Sequence, residues 1–267
     1  MLLRYFNRLL NGLLFMAMGG VCIAVFPIGP SHEEKAVGLS EVIKKTKPSV
    51  LAIASVNPAS SPAMRLYGTG FIYDPKGYAI TAEHVIEAIK SDGKLEDLHA
   101  FFSKGGQFFS IKASLLNSIK QYDVAVLKLE GENFPALTLG DSSKVMEGQD
   151  VALCGFPFGT ILGLYPATHR GIVSSINPAV LPARNTAQLD NQKLKALSQS
   201  FNIFQLDCTA FPGDSGSPLF YPDTGEVIGM VNSAFIAVTK EGNFSTGISY
   251  AIPINLIKEA LTEKKKS

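Results

Sequence analysis

The sequence contains few of the residues from which metal sites and disulfide scaffolds are built. Its 267 residues include three cysteines and four histidines. No two cysteines form a CxxC pair, and no cysteine or histidine spacing matches a zinc site. We therefore expect no metal, no cofactor and no disulfide framework.

An excess of charge of one sign is also absent. Lysine and arginine number 24 and the acids 23, for a net charge of +1. Nucleic-acid binding depends on a basic surface, so we expect no nucleic-acid partner. Apolar residues make up 46% of the chain, enough to fill the core of one large domain or two small ones.

The N-terminal segment differs from the rest of the chain. Arg4 and Arg8 precede an uncharged apolar run from Leu13 to Phe26. A basic start followed by such a run is typical of an export signal. Extended back to Leu9, the run approaches the roughly 20 residues that span a bilayer. We predict a signal peptide or signal anchor over residues 1–31, and a core helix is the remaining alternative.

The charges that flank this run predict the orientation of the chain. Basic residues precede the run, and Glu33 and Glu34 follow it. This distribution places the N-terminus in the cytoplasm and the remainder outside. The expected location is periplasmic or extracellular, with possible anchoring to the inner membrane by residues 9–28. Export would allow Cys154 and Cys208 to pair, but two separate core thiols are the favoured expectation.

Beyond the leader, short β runs alternate with turn residues and little helix. A short helix is expected first, capped by Ser40 and ended by Pro48, and a second is expected to open at Pro253. Two series of six short strands favour two antiparallel barrels. The strands are predicted at Val50–Val56, Thr69–Tyr73, Tyr78–Thr81, Leu98–Phe102, Phe108–Leu116, Val124–Glu130, Asp150–Cys154, Ala167–Ile176, Phe201–Cys208, Ser217–Tyr221, Val227–Phe235 and Gly247–Ile252.

The predicted fold class is therefore all-β. Two six-stranded antiparallel barrels follow an N-terminal apolar leader and precede a short C-terminal helix. The expected boundaries are 32–48 for a linker with its helix, 49–140 for the first barrel, and 141–267 for the second barrel with the C-terminal helix.

The stretch FPGDSGSP places glycines on both sides of an acid and a serine. Gly213 and Gly216 flank Asp214 and Ser215. Glycine allows positive φ and close approach of another backbone, which suits a loop that presents a hydroxyl to a ligand. An ordinary polar turn has a similar composition.

A serine nucleophile needs a base, and the base needs a group that orients it. Of His32, His84, His99 and His169, only His84 lies where a β run passes into a helical turn, in AITAEHVIEA. Asp123 stands immediately before the apolar run VAVLKL. A buried carboxylate there could fix the tautomer of His84.

Three segments carry a family resemblance in chain order. YGTGFIYDPKGYAITAEHV, QYDVAVLKL and FPGDSGSPLF resemble the His, Asp and Ser blocks of chymotrypsin-like serine proteases. LGDSSKVMEGQDVALCGFPFG, RGIVSSI, EVIGMVNSAF and ISYAIP resemble the HtrA/Deg branch. The resemblance covers about Val50 to Pro253. It implies two barrels with a cleft between them.

The resemblance also implies the roles of the site residues. His84, Asp123 and Ser215 are expected to form the catalytic triad. The oxyanion hole is expected at Gly213, Asp214 and Ser215, with the N–H groups of Gly213 and Ser215 as donors. The substrate pocket is expected at Thr209, Ala210, Asn232, Ser233, Ala234 and Tyr250. Because none of these pocket residues is acidic, a small or medium apolar side chain is the expected preference.

The chain departs from the HtrA branch in two respects. That branch usually has Asn where this chain has Asp214, so a buried Asp214 needs a partner, either backbone N–H groups or a nearby base such as Arg170. HtrA proteins also usually continue into PDZ domains, whereas this sequence ends shortly after Pro253. Peptide sensing through a PDZ domain is therefore not expected.

The sequence predicts an exported serine endopeptidase that acts on proteins or peptides. The alternative is a non-catalytic descendant of the fold that binds peptides or a partner. An esterase would share the chemistry, but its GxSxG elbow is absent because Ser217 occupies the last position in GDSGS. The oligomeric state is left open.

Overall fold

The structure is a computed structural model that describes residues 38–59, 61–104, 107–179, 201–239 and 242–263. The predicted leader, 1–31, lies outside the described residues. Within these ranges, no helix is both long enough and apolar enough to span a bilayer.

The first barrel follows a short helix, α1 (Leu39–Thr46), and includes a second helix, α2 (Glu83–Ser91). All pairings between its neighbouring strands are antiparallel. The strands are β1 (Val50–Val56), β2 (Met64–Asp74), β3 (Tyr78–Ala82), β4 (Leu98–Lys104), β5 (Gln107–Ile119) and β6 (Val124–Leu129). They close in the order β1-β2-β3-β6-β5-β4.

The second barrel includes the short helix α3 (Gly159–Leu162) and is followed by α4 (Ile254–Glu263). Its strands are β7 (Asp150–Gly155), β8 (Ala167–Pro178), β9 (Asn202–Leu206), β10 (Pro218–Phe220), β11 (Val227–Thr239) and β12 (Gly242–Pro253). They close in the order β7-β8-β9-β12-β11-β10. This is the topology of the first barrel, repeated.

The predicted all-β fold with two six-stranded barrels is confirmed. Strand β2 begins at Met64, earlier than predicted, because Leu66 pairs with Ala54 beyond a bulge at Tyr67 of β2. The glycine-rich sequence around this bulge conceals the continuation of the strand. The prediction that Ser40 caps the first helix is wrong, since the N-cap residue is Gly38 and Ser40 lies inside α1.

Each barrel is filled by apolar side chains from its strands, several of which are buried along nearly their whole length. Phe71, Ile53 and Ile80 are fully buried in the first barrel, and Phe204 and Leu219 are buried in the second. Full burial of one such side chain stabilises the fold by about 1.5–3 kcal/mol.

Cys154 and Cys208 are both buried, and neither forms a disulfide. Burial raises the pKa of Cys154 to about 11 and that of Cys208 to about 12. Because the thiolate is the reactive form, both side chains behave as small apolar residues of the core.

The repeated topology positions the site residues. His84 follows β3, and Ser215 lies in the connection between β9 and β10, the equivalent connection of the second barrel. Asp123 immediately precedes β6, the strand that pairs with β3. The two barrels therefore contribute equivalent loops that face each other across a shared cleft.

Candidate active site

The pairing of β3 with β6 brings His84 and Asp123 together. Ala82 lies opposite Val124 at the end of the ladder, so the residues that follow and precede these strands are neighbours. The backbone N–H of Glu83 donates to the Asp123 carbonyl at 3.1 Å. Asp123 has a φ of +52°, a left-handed conformation that Asp tolerates better than most residues.

Two hydrogen bonds orient the carboxylate of Asp123 toward His84. Oδ2 lies 2.6 Å from the imidazole Nδ1, and Oδ1 accepts from the His84 backbone N–H at 2.8 Å. An ionised carboxylate can only accept, so Nδ1 carries the proton of the neutral ring. The lone pair of Nε2 is then available as a base.

The remaining described histidines have other environments. In His99, Nδ1 lies 2.9 Å from the hydroxyl of Ser110 across the β4–β5 pair. The ring of His169 packs against Phe211 at 5.5 Å between centroids, and burial lowers its pKa. His32 lies outside the described residues. Of the three described histidines, only His84 pairs with a carboxylate.

Ser215 is held by both barrels. Its carbonyl accepts from the N–H of Thr69 in β2 at 2.8 Å. Its hydroxyl donates to the carbonyl of Asn232 in β11 at 3.2 Å, and the amide of the same Asn232 donates to Asp123 Oδ2. Because one residue contacts both Ser215 and Asp123, the three sequence-predicted catalytic residues lie around one point of the cleft.

The glycines that flank the Asp214–Ser215 pair have positive φ, +103° for Gly213 and +90° for Gly216. A methyl group on Gly213 would lie 2.3 Å from the Phe156 carbonyl oxygen. On Gly216 it would lie 2.0 Å from the carbonyl oxygen of Thr69. Only glycine fits either position, because the neighbouring atoms are backbone.

Two N–H groups of this loop are available to a ligand. In the described part of the chain, no acceptor meets the N–H of Gly213 or of Ser215. The N–H of Asp214 instead donates to the Phe211 carbonyl at 2.9 Å. Asp214 was expected to contribute to the oxyanion hole, but its N–H is already committed. The N–H groups of Gly213 and Ser215 remain as donors.

Thr69 supports this loop and was missed by sequence reasoning. Its hydroxyl donates to the Gly213 carbonyl at 2.6 Å and accepts from the Phe156 N–H at 3.0 Å. The available signal was a polar residue between two glycines, in the YGTGF segment at the start of the His block.

Asp214 is fully buried and only partly compensated. Oδ2 accepts from the Phe211 N–H at 2.8 Å, and Oδ1 has no partner among the described residues. Burial raises the pKa of Asp214 to about 6, against the smaller opposing effect of that hydrogen bond. Arg170 is not the partner, since its guanidinium pairs with Asp150 at 3.1 Å.

The structure changes the expected composition of the substrate pocket. Ala210 is buried, and the hydroxyl of Ser249 donates to the Cys208 carbonyl at 2.5 Å. Tyr250 pairs along the backbone with Gln205 of β9. The amide of Asn232 is directed to Asp123. The side chains of Ser233 and Ala234 lie outside the description.

Replacing Asp214 with asparagine should stabilise the protein at neutral pH. Below the ordinary pKa of 3.8, the carboxyl is protonated in both the folded and unfolded states. The free energy of unfolding then falls as the pH rises through about 6. Above that value it is lower by about 3 kcal/mol. The Asp214→Asn variant should therefore unfold at a higher temperature than the parent at about pH 8 and at a similar one at about pH 4.

The exposed acid Asp150 provides the control. Its side chain is 57% exposed and pairs with Arg170, so Asp150→Asn should show no comparable dependence on pH. Thermal unfolding monitored by circular dichroism measures both variants. If the unfolding temperatures of Asp214→Asn and the parent differ by the same amount at both pH values, Asp214 is not a buried, poorly compensated carboxyl.

Comparisons with known proteins agree with this geometry. The model of the trypsin-like peptidase domain matches residues 68–230. A probable periplasmic serine endoprotease, DegP-like, from Halomonas elongata is 35% identical over 198 residues. That match covers 73% of this chain and 34% of the relative. A DegP-like protein from Pseudomonas savastanoi is 33% identical and is covered over 35% of its length.

Solved structures show the same likeness. The HtrA-type protease AlgW with a tripeptide superposes with a TM-score of 0.60 at 26% identity, covering 84% of this chain and 62% of that one. Deg5 shares the fold, with a TM-score of 0.59, and is covered over 90% of its length. The chain spans about a third of the curated relatives it matches. It belongs to the trypsin-like peptidase family and resembles that family's HtrA/DegP branch.

Proposed function

We propose that the protein is a serine endopeptidase in which His84, Asp123 and Ser215 form the catalytic triad. The observation that carries the proposal is the set of contacts around Asp123 and Ser215. The carboxylate accepts from both the ring and the backbone of His84, and Ser215 lies in a loop with two uncommitted N–H groups. Base, orienting acid, nucleophile and oxyanion donors are then all supplied by one cleft.

The chemistry follows from the hydrogen bonds of the free site. Asp123 keeps the proton of His84 on Nδ1, so Nε2 can take the proton of Ser215 as the serine oxygen attacks a peptide carbonyl. The hydroxyl first leaves its resting acceptor, the Asn232 carbonyl. Catalytic hydrogen bonds are often loose in a free enzyme and tighten when substrate binds.

The developing oxyanion is stabilised by the loop. The N–H groups of Gly213 and Ser215 donate to the oxygen of the tetrahedral intermediate. The imidazolium of His84 then protonates the departing amine, and a peptide acyl group remains on Ser215. Water activated by the same imidazole releases the acyl group and restores the serine.

A non-catalytic peptide-binding descendant is the second candidate. It is favoured by one observation, the hydrogen bond of the Ser215 hydroxyl to the Asn232 carbonyl rather than to His84. Such a protein would bind peptides in the same cleft without cleaving them. Covalent labelling of the serine separates the two candidates, because only an activated hydroxyl reacts with a fluorophosphonate.

Ser215→Ala should abolish fluorophosphonate labelling and peptide hydrolysis without changing the fold. Loss of the nucleophile typically lowers kcat by about 10⁴-fold or more. Casein and short ester substrates measure activity, and circular dichroism checks the fold. The matched control is Ser110→Ala, which removes the serine that contacts His99 and should leave activity and labelling intact. Full activity of the folded Ser215→Ala variant would exclude this serine from the mechanism.

The proposed substrate preference is a small or medium apolar residue before the scissile bond. Thr209, Ala210 and Tyr250 remain as proposed pocket residues, and none can neutralise a charged substrate side chain. Peptides that differ only at this position should be cleaved about tenfold or more faster with Ala, Val or Leu than with Lys or Asp. A higher kcat/KM for the lysine peptide would contradict the proposed pocket.

We further propose that the protein is exported, with the expected boundaries at 31, 48 and 140. The DegP-like relatives are named periplasmic. The basic residues before the apolar run likewise predict that the chain beyond it lies outside the cytoplasm. Alkaline phosphatase fused after Ser267 should be active outside the cytoplasm in a bacterial host. Activity of a cytoplasmic reporter fused at that position would indicate the opposite orientation. Recovery of peptides from residues 1–31 in the mature membrane fraction would support an anchor.

A further inference from the structure

Two buried polar side chains of the serine loop lack hydrogen-bond partners. Asp214 and Ser217 are both fully buried, and neither Oδ1 of Asp214 nor Oγ of Ser217 meets a partner among the described residues. Buried polar atoms are nearly always paired, so each unpaired atom requires an explanation. Because these two atoms flank the same short turn after Ser215, one explanation can serve for both.

A glycine in the neighbouring strand shows how close the two atoms are. A methyl group on Gly155 of β7 would lie 2.1 Å from Oγ of Ser217 and 2.6 Å from Oδ1 of Asp214. Both oxygens therefore face the bare Cα of Gly155 and lie around a single point. The hydroxyl and the carboxyl are thus neighbours, although no hydrogen bond joins them in this conformation.

Backbone hydrogen bonds fix the frame around the two side chains. The N–H of Ser217 donates to the Asp214 carbonyl at 2.9 Å, which closes a turn around Ser215 and Gly216. The carbonyl of Ser217 accepts from the Val231 N–H at 2.8 Å. Because the main chain is held on both sides, the hydroxyl of Ser217 moves by rotation about its Cα–Cβ bond.

The other donors beside the carboxyl are committed. Oγ1 of Thr69 would lie 3.1 Å from the same methyl group on Gly155, but its proton goes to the Gly213 carbonyl at 2.6 Å. The N–H of Phe211 already donates to the other carboxyl oxygen, Oδ2. A serine hydroxyl carries one proton to donate. Of these three groups, only Ser217 has an uncommitted proton.

No positive charge of the described residues acts on Asp214. The titratable groups that face it are the thiols of Cys154 in β7 and Cys208, because its charge acts on both. Burial raises the pKa of these thiols to about 11 and about 12, so both stay neutral near pH 7. Lys47 acts on Cys154 but not on the carboxyl. The ring of His169 in β8 packs against the residue that donates to Oδ2.

We propose that Ser217 is a positioning residue of the oxyanion hole, whose hydroxyl turns to donate to Oδ1 of Asp214 when that carboxyl ionises. Its effect on catalysis rests on the proposed function. The two N–H groups available to an oxyanion belong to Gly213 and Ser215, the immediate neighbours of Asp214. Movement of an unpaired carboxylate toward solvent would rotate the adjoining peptides and misalign both donors.

The first test is the pH dependence of the unfolding temperature of Ser217→Ala. At about pH 4 the buried carboxyl of folded Asp214 is neutral, so loss of the hydroxyl has little effect. At about pH 8 the carboxyl is ionised, and the variant leaves it with one donor. We expect the variant to unfold about 3 °C or more below the parent at the higher pH and within about 1 °C of it at the lower. An equal decrease at both pH values would indicate lost packing alone and overturn the proposal.

Asp214→Asn completes a double-mutant cycle. In this uncharged background, Ser217→Ala should change the unfolding temperature by the same small amount at both pH values. If Ser217→Ala does not fold at about pH 8, the double variant should fold there, because no charge remains to be paired. A double variant that also fails to fold would contradict the proposal.

Ser55→Ala is the matched control. Ser55 is a buried serine of β1, and its hydroxyl contacts the phenol of Tyr67 at 3.4 Å instead of a carboxylate. The unfolding temperature of this variant should differ from that of the parent by the same amount at both pH values. A pH-dependent difference as large as that of Ser217→Ala would show that the effect is not specific to Ser217.

Catalysis provides a second readout. At about pH 8, Ser217→Ala should lower kcat about tenfold with little change in KM, and adding Asp214→Asn should restore most of the loss. Unchanged kcat in a variant with the expected pH-dependent unfolding would exclude positioning of the oxyanion hole.

The unfolding experiment does not require an active enzyme. If the parent neither cleaves peptides nor reacts with a fluorophosphonate, the proposed function fails. The unfolding temperatures still decide whether Ser217 pairs with ionised Asp214. If the parent is active and Ser217→Ala matches it in kcat and in unfolding at both pH values, only the role of Ser217 is wrong.

Discussion

The carboxylate of Asp123 is the point at which the two barrels meet chemically. It receives hydrogen bonds from the ring and backbone of His84 in the first barrel and from the amide of Asn232 in the second. A carboxylate can accept several donors, and each one restricts its orientation further. The geometry of the cleft therefore depends on the barrels being packed so that β3, β6 and β11 converge on this group.

The serine loop depends on the same packing in a different way. The loop belongs to the second barrel, yet Thr69 of β2 bonds to both Ser215 and Gly213. Gly213 and Gly216 lie so close to the neighbouring carbonyls that no side chain fits at either position. Contacts across the cleft thus orient the N–H groups of Gly213 and Ser215. Such preorganisation is the feature that makes oxyanion stabilisation effective.

Local features of this molecule could be predicted from its sequence, and contacts between distant residues could not. Short β runs separated by turn residues predicted twelve strands, and the segments around His84, Asp123 and Ser215 indicated the family. The hydrogen bond of Asn232 to Asp123 occurs at a bulge, which depends on pairing between β11 and β12 and leaves no periodic signal. The salt bridge of Arg170 with Asp150 also depends on register, because the two residues lie on paired strands. The prediction for Ser40 failed because a serine stabilises a helix as its N-cap only when the helix begins there, and α1 begins before Ser40.

The two acids of the site illustrate how environment separates identical side chains. Asp123 accepts three hydrogen bonds and borders the solvent-accessible cleft, whereas Asp214 is fully buried with a single donor. The donors around Asp123 fix the orientation of its carboxylate, whereas burial favours the neutral form of Asp214 and raises its pKa. The positions differ because Asp123 lies at the open end of a strand pair, whereas Asp214 lies beneath the loop that Gly213 bends. As pH rises toward neutrality, the charge on Asp214 becomes a cost to the fold. The serine loop is therefore least stable above about pH 6, and the contacts of Thr69 and Val231 hold it in place.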